Sequence, residues 1–313
     1  MDRLSSPRIG IALAFACLLL LGAMPILSNA RPAGFDGLTF AVWLTVWQLI
    51  CALPLTFFES RTRSRRPDAP RRLPPRTIAI ALLTGAIFGL TTFMYVVAAE
   101  KAGAVSMVIA LQAYPLFAAL LEAAFLGKRK TPMELFFTFL MLSALVYLTT
   151  GGTFRIAEVS WWSVFALGIP ALWSIAHILL KQVLVSTPIT PNQVTVSRLV
   201  ISGVFLVLVA GAFGDAGALL RGAADPDFQR AAFIMGLAYY LELILWFYAM
   251  RHIEVSVASS VTVPSPAVTM LIAVVFLGEA VERYQVFAMI VIAASMYGLL
   301  LAGRRGVSRL SAT

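Results

Sequence analysis

The chain has 313 residues, of which 60% are hydrophobic and 12% charged, with 24 Lys and Arg against 15 Asp and Glu for a net charge of +9. Soluble domains carry about a quarter charged residues, so this composition excludes an ordinary soluble fold and places the chain in a bilayer. The positive charge does not mark a nucleic-acid binder, because the cations sit between apolar segments and no soluble domain is left to carry a binding face.

A helix crosses hydrocarbon with about 20 apolar residues, and ten such stretches follow one another. The first, Ile9 to Ser28, follows Arg3 and Arg8 and contains Cys17. Its Ser28-Asn29-Ala30 end imitates a leader cleavage site, but the run is longer than a signal core and is read as a retained helix. The second, Leu38 to Phe58, carries Trp43 and Trp47 on one face and also Cys51. Cysteines inside spans imply no extracellular disulfide framework. The connection Glu59 to Arg76 has seven arginines and four prolines, which cannot build a core and suit a topology anchor on anionic lipid.

The third stretch, Thr77 to Ala99, holds Tyr95, and the fourth, Ala104 to Leu126, holds Tyr114, Pro115 and Glu122. Proline lacks an N–H and its ring clashes with the preceding turn, so Pro115 predicts a bend. The fifth runs from Met133 to Thr150. The sixth, Trp161 to Leu180, includes Trp173 and, four residues later, His177. The seventh, Gln193 to Phe213, places Arg198 on a polar stripe with Thr195 and Ser202. A connection from Gly214 to Arg230 is read as a loop. The eighth, Ala231 to Met250, carries Tyr239, Glu242 and Trp246 at i, i+3 and i+7. The ninth, Val255 to Leu277, contains Pro264 and Pro266, and the tenth runs from Tyr284 to Ala302.

These stretches repeat. Residues 151 positions apart match without a gap at Gly85/Gly236, Ala98/Ala249, Pro115/Pro266, Leu120/Leu271, Phe136/Phe287 and Leu148/Leu299, and most densely at Ala124 to Lys128 against Val275 to Glu279. Such self-similarity marks an internal duplication, so residues 1–152 and 153–313 are expected to be two five-helix repeats. Five is odd, so the second copy enters the membrane inverted. Charge agrees: Lys128, Arg129 and Lys130 follow the first copy of the block, whereas Glu279, Glu282 and Arg283 follow the second. With both termini cytoplasmic, seventeen Lys and Arg fall inside, six outside, and Arg198 alone lies within a span.

An ionisable side chain in mid-span costs at least about 2.5 kcal/mol and so marks a partner or a water-filled path. Glu242 offers a carboxylate between the rings of Tyr239 and Trp246, which suits an organic cation. Arg198 would take a carboxylate, or pair with Glu242, or with Glu122. His177 and Glu122, like Glu242, are candidates for coupling to protons. Trp47, Tyr95, Tyr114 and Trp173 are candidate cavity walls, and Pro115, Pro264 and Pro266 candidate hinges. With only two histidines and no HExxH pattern, the chain has no metal-enzyme machinery, no cofactor is expected, and an enzyme is the weak alternative. The sequence assigns no oligomeric state.

The ten apolar stretches, the mid-span proline before Phe276-Leu277-Gly278-Glu279, and Trp173 in the sixth stretch resemble the EamA-type drug/metabolite transporter superfamily. The resemblance implies an all-α integral membrane protein of ten transmembrane helices, in the cytoplasmic membrane. It further implies transport of a small organic metabolite, an amino acid or small amine foremost, by alternating access, with import and export both compatible. A lipid or amphiphile flippase of the same architecture is the second reading. The repeats are not chemically equal: Lys128 stands where the second copy has Glu279, and Gln48 near the position that matches Arg198.

Overall fold

The computed structural model describes residues 7–63, 74–114, 116–117, 120–121, 131–186, 191–253, 261–278 and 280–310. Among them are eleven α-helices: α1 (Pro7–Asn29), α2 (Gly37–Arg63), α3 (Pro75–Lys101), α4 (Ala104–Leu111), α5 (Pro132–Thr149), α6 (Trp161–Ser186), α7 (Pro191–Phe213), α8 (Ala216–Ala224), α9 (Pro226–His252), α10 (Ser265–Leu277) and α11 (Arg283–Leu310). No strand occurs among the described residues. Pro115, Glu122 and most of the arginine-rich connection lie outside them.

Hydrocarbon offers no partner to a backbone N–H or C=O, so an apolar stretch in it closes its own hydrogen bonds as a helix. Seven of the described helices, α1, α2, α3, α5, α6, α7 and α9, are long and apolar enough to cross a membrane, while α10 and α11 contribute the shorter apolar stretches Ser265–Phe276 and Arg283–Leu299. Large apolar side chains on their outer faces, such as Phe139, Leu208 and Phe276, are exposed to what would be lipid. Polar ends start the helices. Asp36 accepts from the N–H groups of Leu38 and Thr39, both at 2.9 Å, and Asp225 from that of Phe228 at 2.9 Å. Thr131 and Glu134 form a reciprocal capping box at α5. Gly103 (φ 83°) turns the chain between α3 and α4, and Gly278 (φ 65°) ends α10 in the left-handed region that glycine alone adopts without strain.

Two expectations are revised. The connection after α7 is not a plain loop: Asp215 caps α8 by accepting from Gly217 N–H at 2.8 Å, and Arg221 returns to Asp215 at 2.7 Å. These two hydrogen bonds hold the exposed Asp215 carboxyl below its ordinary range, the one from Arg221 most. His252 is half-buried against α1, where a Cβ at Gly10 would meet its Cβ at 2.9 Å. The fourth and ninth spans are also not single helices. α4 stops at Leu111 and residues 112–113 form a turn before helical backbone resumes at 114; residues 261–262 are helical, 263–264 turn, and α10 begins at Ser265. Proline explains both stops: Pro115 has no N–H for the carbonyl of Leu111, nor Pro266 for that of Thr262.

The chain divides into two compact units. One holds residues 27–97 and 175–241, the other 1–26, 98–174 and 242–313. Shifting 27–97 by the 151-residue period gives 178–248, close to its companion segment, so this unit is assembled from matching parts of both repeats. Within it α3 packs on α7 through Gly85 and Gly89, where added Cβ atoms would lie 2.5 Å from Ile201 and 2.9 Å from Phe205. Small residues four apart let membrane helices approach closely. Gly236, the repeat partner of Gly85, does the same for α9 on α2. In the other unit α5 packs on α11, with Gly298 against Phe137 and the rings of Tyr147 and Phe287 5.5 Å apart.

Candidate functional site

In the unit that contains α4 and α10, the two helix interruptions fall at matching positions of the repeats, 112–113 and 263–264. They are joined: the side-chain nitrogen of Gln112 donates to Ser265 Oγ at 3.0 Å, and Ser265 is buried. Each broken helix is also held by the matching neighbour. Thr269 Oγ of α10 donates to the carbonyl of Gly22 in α1 at 2.6 Å, and Ser174 Oγ of α6 donates to the carbonyl of Tyr114 at 3.2 Å. Interrupted helices expose backbone polar groups inside the membrane, and in transporters they mark substrate and ion sites.

Glu242 lies half-buried on α9. The buried thiol of Cys17 in α1 donates to its Oε1 at 3.4 Å and approaches its backbone oxygen at 3.7 Å. Cys17 thus touches the ionisable centre of α9. Trp246, expected as one flank of that carboxylate, packs in an apolar cluster with Leu13, Ala14, Ala249, Ile253 and Val261. Trp173 is half-buried on α6, beside Ser174.

The other unit brings together residues that are far apart in sequence. The guanidinium of Arg198 lies 4.3 Å above the ring of Phe88, and the His177 ring lies 5.4 Å from that same ring. Phe88 is buried, so a cation and an imidazole share one apolar platform built by α3, α6 and α7. Tyr95 and Tyr239 meet edge to face at 5.8 Å. Trp47 donates its indole N–H to Gln229 at 2.8 Å and packs on Phe233 at 5.2 Å, while Gln229 donates to the Gly222 carbonyl at the end of α8 at 2.8 Å. Trp43 donates to the Leu219 carbonyl of the same short helix.

Phe88, Gln112 and Gln229 were not among the residues singled out by sequence. Gln112 carried a signal, since an amide three residues before a mid-span proline is an expensive thing to leave in hydrocarbon. Phe88 carried none, because one phenylalanine among apolar neighbours gives no hint of the arginine that lies on it. Chemically the arrangement offers a carboxylate with a thiol donor in one unit, and a guanidinium and imidazole on an aromatic platform in the other.

No curated protein matches the sequence. Among solved structures, one described as "Crystal structure of protein" aligns with 96% of this chain and 99% of its own at a TM-score of 0.60 and 16% identity, which shows a shared fold. The model of the EamA-like transporter family matches residues 8–150 and again residues 160–301. Two matches that together span most of a chain built from apolar helices make it a member of the EamA-like transporter family, a membrane transporter of the drug/metabolite superfamily acting on small molecules.

Proposed function

We propose that this protein is a secondary transporter that moves an amino acid or small amine across the cytoplasmic membrane by alternating access, with residues 1–152 and 153–313 as inverted five-helix repeats and both termini cytoplasmic. The observation that carries this reading is the matched pair of helix interruptions at 112–113 and 263–264, tied by Gln112 and Ser265. A carrier needs elements that can change shape in mid-membrane, and proline-terminated half-helices in both repeats supply them. Pro264 and Pro266, with Pro115 in the first repeat, are the proposed hinges.

Glu242 is proposed to take the cationic group of the substrate and to couple its movement to protons, with Tyr239 on the same face of α9. Trp246, held in its apolar cluster, is proposed to fix that face. In its own unit Arg198 is proposed to take a carboxylate, with Trp47, Tyr95 and His177 shaping its surroundings. Tyr114 and Trp173 are proposed cavity walls.

The test is uptake and exchange of amino acids and amines in proteoliposomes, beside ligand-dependent thermal stabilisation, since a ligand of the folded state raises its melting temperature. Glu242→Gln should abolish uptake and ligand stabilisation while the unliganded protein stays folded. Unchanged transport by that variant would remove Glu242 from the mechanism.

A further inference from the structure

Gln48 sits at the middle of the apolar stretch Gly37–Glu59 of α2, is 2% exposed, and keeps its side-chain nitrogen buried without a hydrogen-bond partner. Nearly every buried donor in a folded protein is paired, and an unused amide in hydrocarbon is costlier still. Its position gives it meaning. α2 and α7 run antiparallel in one register: Gly203 faces Thr45, and eleven residues further along each helix Asn192 donates to Thr56 at 3.5 Å and to Glu59 at 2.7 Å. Gln48 therefore stands opposite residue 200, within about 3 Å of the level of Arg198.

Adding 151 takes a residue of α2 to its repeat partner on α7, and partners come nearest to facing one another at Gln48/Leu199 and Leu49/Val200, each pair one residue out of register. Gln48 and Arg198 thus flank the point where matching segments of the two repeats meet in this unit, and carriers built from repeats hold substrate near such points. Arg198 is already steadied there on Phe88. Over Gln48 the chain of α9 closes through Gly236, whose added Cβ would lie 3.1 Å from the Gln48 backbone nitrogen.

We propose that Gln48 is a specificity-determining residue whose amide donates to a carboxylate oxygen of the substrate beside Arg198, so that the substrate class is a carboxylate-bearing one, an amino acid rather than a simple amine. This rests on the transporter reading above and on the role given there to Arg198. A carboxylate has acceptor capacity for the guanidinium fork and for an amide as well, whereas an amine has nothing for either donor to bind. The amide is covered in the described conformation, and it becomes accessible when α9 moves off α2 during the transport cycle.

The experiment uses full-length protein with a panel of the common amino acids, each beside the amine that lacks its carboxylate, read by thermal stabilisation and by proteoliposome uptake. Gln48→Leu should weaken binding of the acid by about 10- to 100-fold, the loss expected for one hydrogen bond to a charged group. It should leave the matched amine unchanged and should not lower the unliganded melting temperature. Gln48→Met repeats the test with a different shape in case the first variant fails to fold. Equal binding of the acid by wild type and variants overturns the proposal, as does wild-type binding confined to amines. In that second case amine uptake lost in Glu242→Gln leaves the transporter reading standing. Failure of the wild type to transport any member of the panel overturns both.

Discussion

Replacing Gly236 by alanine adds one methyl group where α9 crosses α2. The new Cβ would lie 2.7 Å from the Leu44 carbonyl oxygen, 2.9 Å from Trp47 Cβ and 3.1 Å from the Gln48 nitrogen. Two of these are backbone atoms and the third is fixed to the backbone, so none can swing aside, and the helices must separate by about 0.5 Å or more to restore contact distances. Overpacking of this kind costs about 1 to 3 kcal/mol. Against it stands the gain from replacing glycine inside a helix, about 1 kcal/mol. Gly211 on α7 separates the two effects, because an added Cβ there meets nothing within 4 Å and alanine should show the helix gain alone. The two variants should therefore differ by about 1 to 3 kcal/mol, or roughly 2 to 12 °C in melting temperature, with Gly236→Ala the lower. The assay is thermal unfolding of purified protein followed by a thiol-reactive or intrinsic fluorescence signal. A melting temperature of Gly236→Ala equal to that of Gly211→Ala would refute the close crossing of α9 on α2.

Three further outcomes are expected. Gln112→Leu and Ser265→Ala should each lower stability by about 1 kcal/mol, and the double variant should lose less than the sum if their 3.0 Å hydrogen bond is the shared cause, as a double-mutant cycle would show. Phe88→Leu should cost about 0.5 to 2 kcal/mol through the lost contact with Arg198, in addition to the cavity, and Phe88→Tyr should recover most of the first part, measured by denaturation of each variant in the wild-type and Arg198→Gln backgrounds. The lowered carboxyl of Asp215 ties α8 to pH with a definite sign. Its stabilisation of α8 is complete above the ordinary carboxylate range and is lost as pH falls below that range through the folded value, so hydrogen exchange in residues 216–224 should speed up only in acid, and Asp215→Asn should remove the dependence.

Much of the fold can be read locally. Apolar length alone sets α1, α2, α3, α5, α6, α7 and α9 close to their observed bounds, because a helix is the one structure that satisfies an isolated backbone in hydrocarbon. Pro115 and Pro266 announce the helix interruptions, though sequence reads them as bends and the structure shows stops. The difference is one of degree: a proline removes one hydrogen bond and adds one clash, and the packing of Gln112 on Ser265 and Thr269 on Gly22 holds the half-helices in their broken form. The helix α8 was hidden because its few apolar residues form no membrane-length run, and its fixing by Trp43 and Gln229 comes from α2 and α9.

By itself the sequence determined that the chain lives in a membrane, that it is a duplication with a 151-residue period, and that Glu242 and Arg198 are ionisable groups placed where ionisable groups are expensive. Those properties depend on composition and on spacing along one chain. Only the tertiary structure decided that each compact unit mixes matching segments of both repeats, that Arg198 lies on Phe88 with His177 at the same ring, and that Cys17 reaches the Glu242 carboxylate. The reason is physical. Helices form from neighbours along the chain, whereas their pairing depends on which faces fit closely enough to exclude lipid, and glycines such as Gly85 and Gly236 reveal that fit only once the opposing helix is in place.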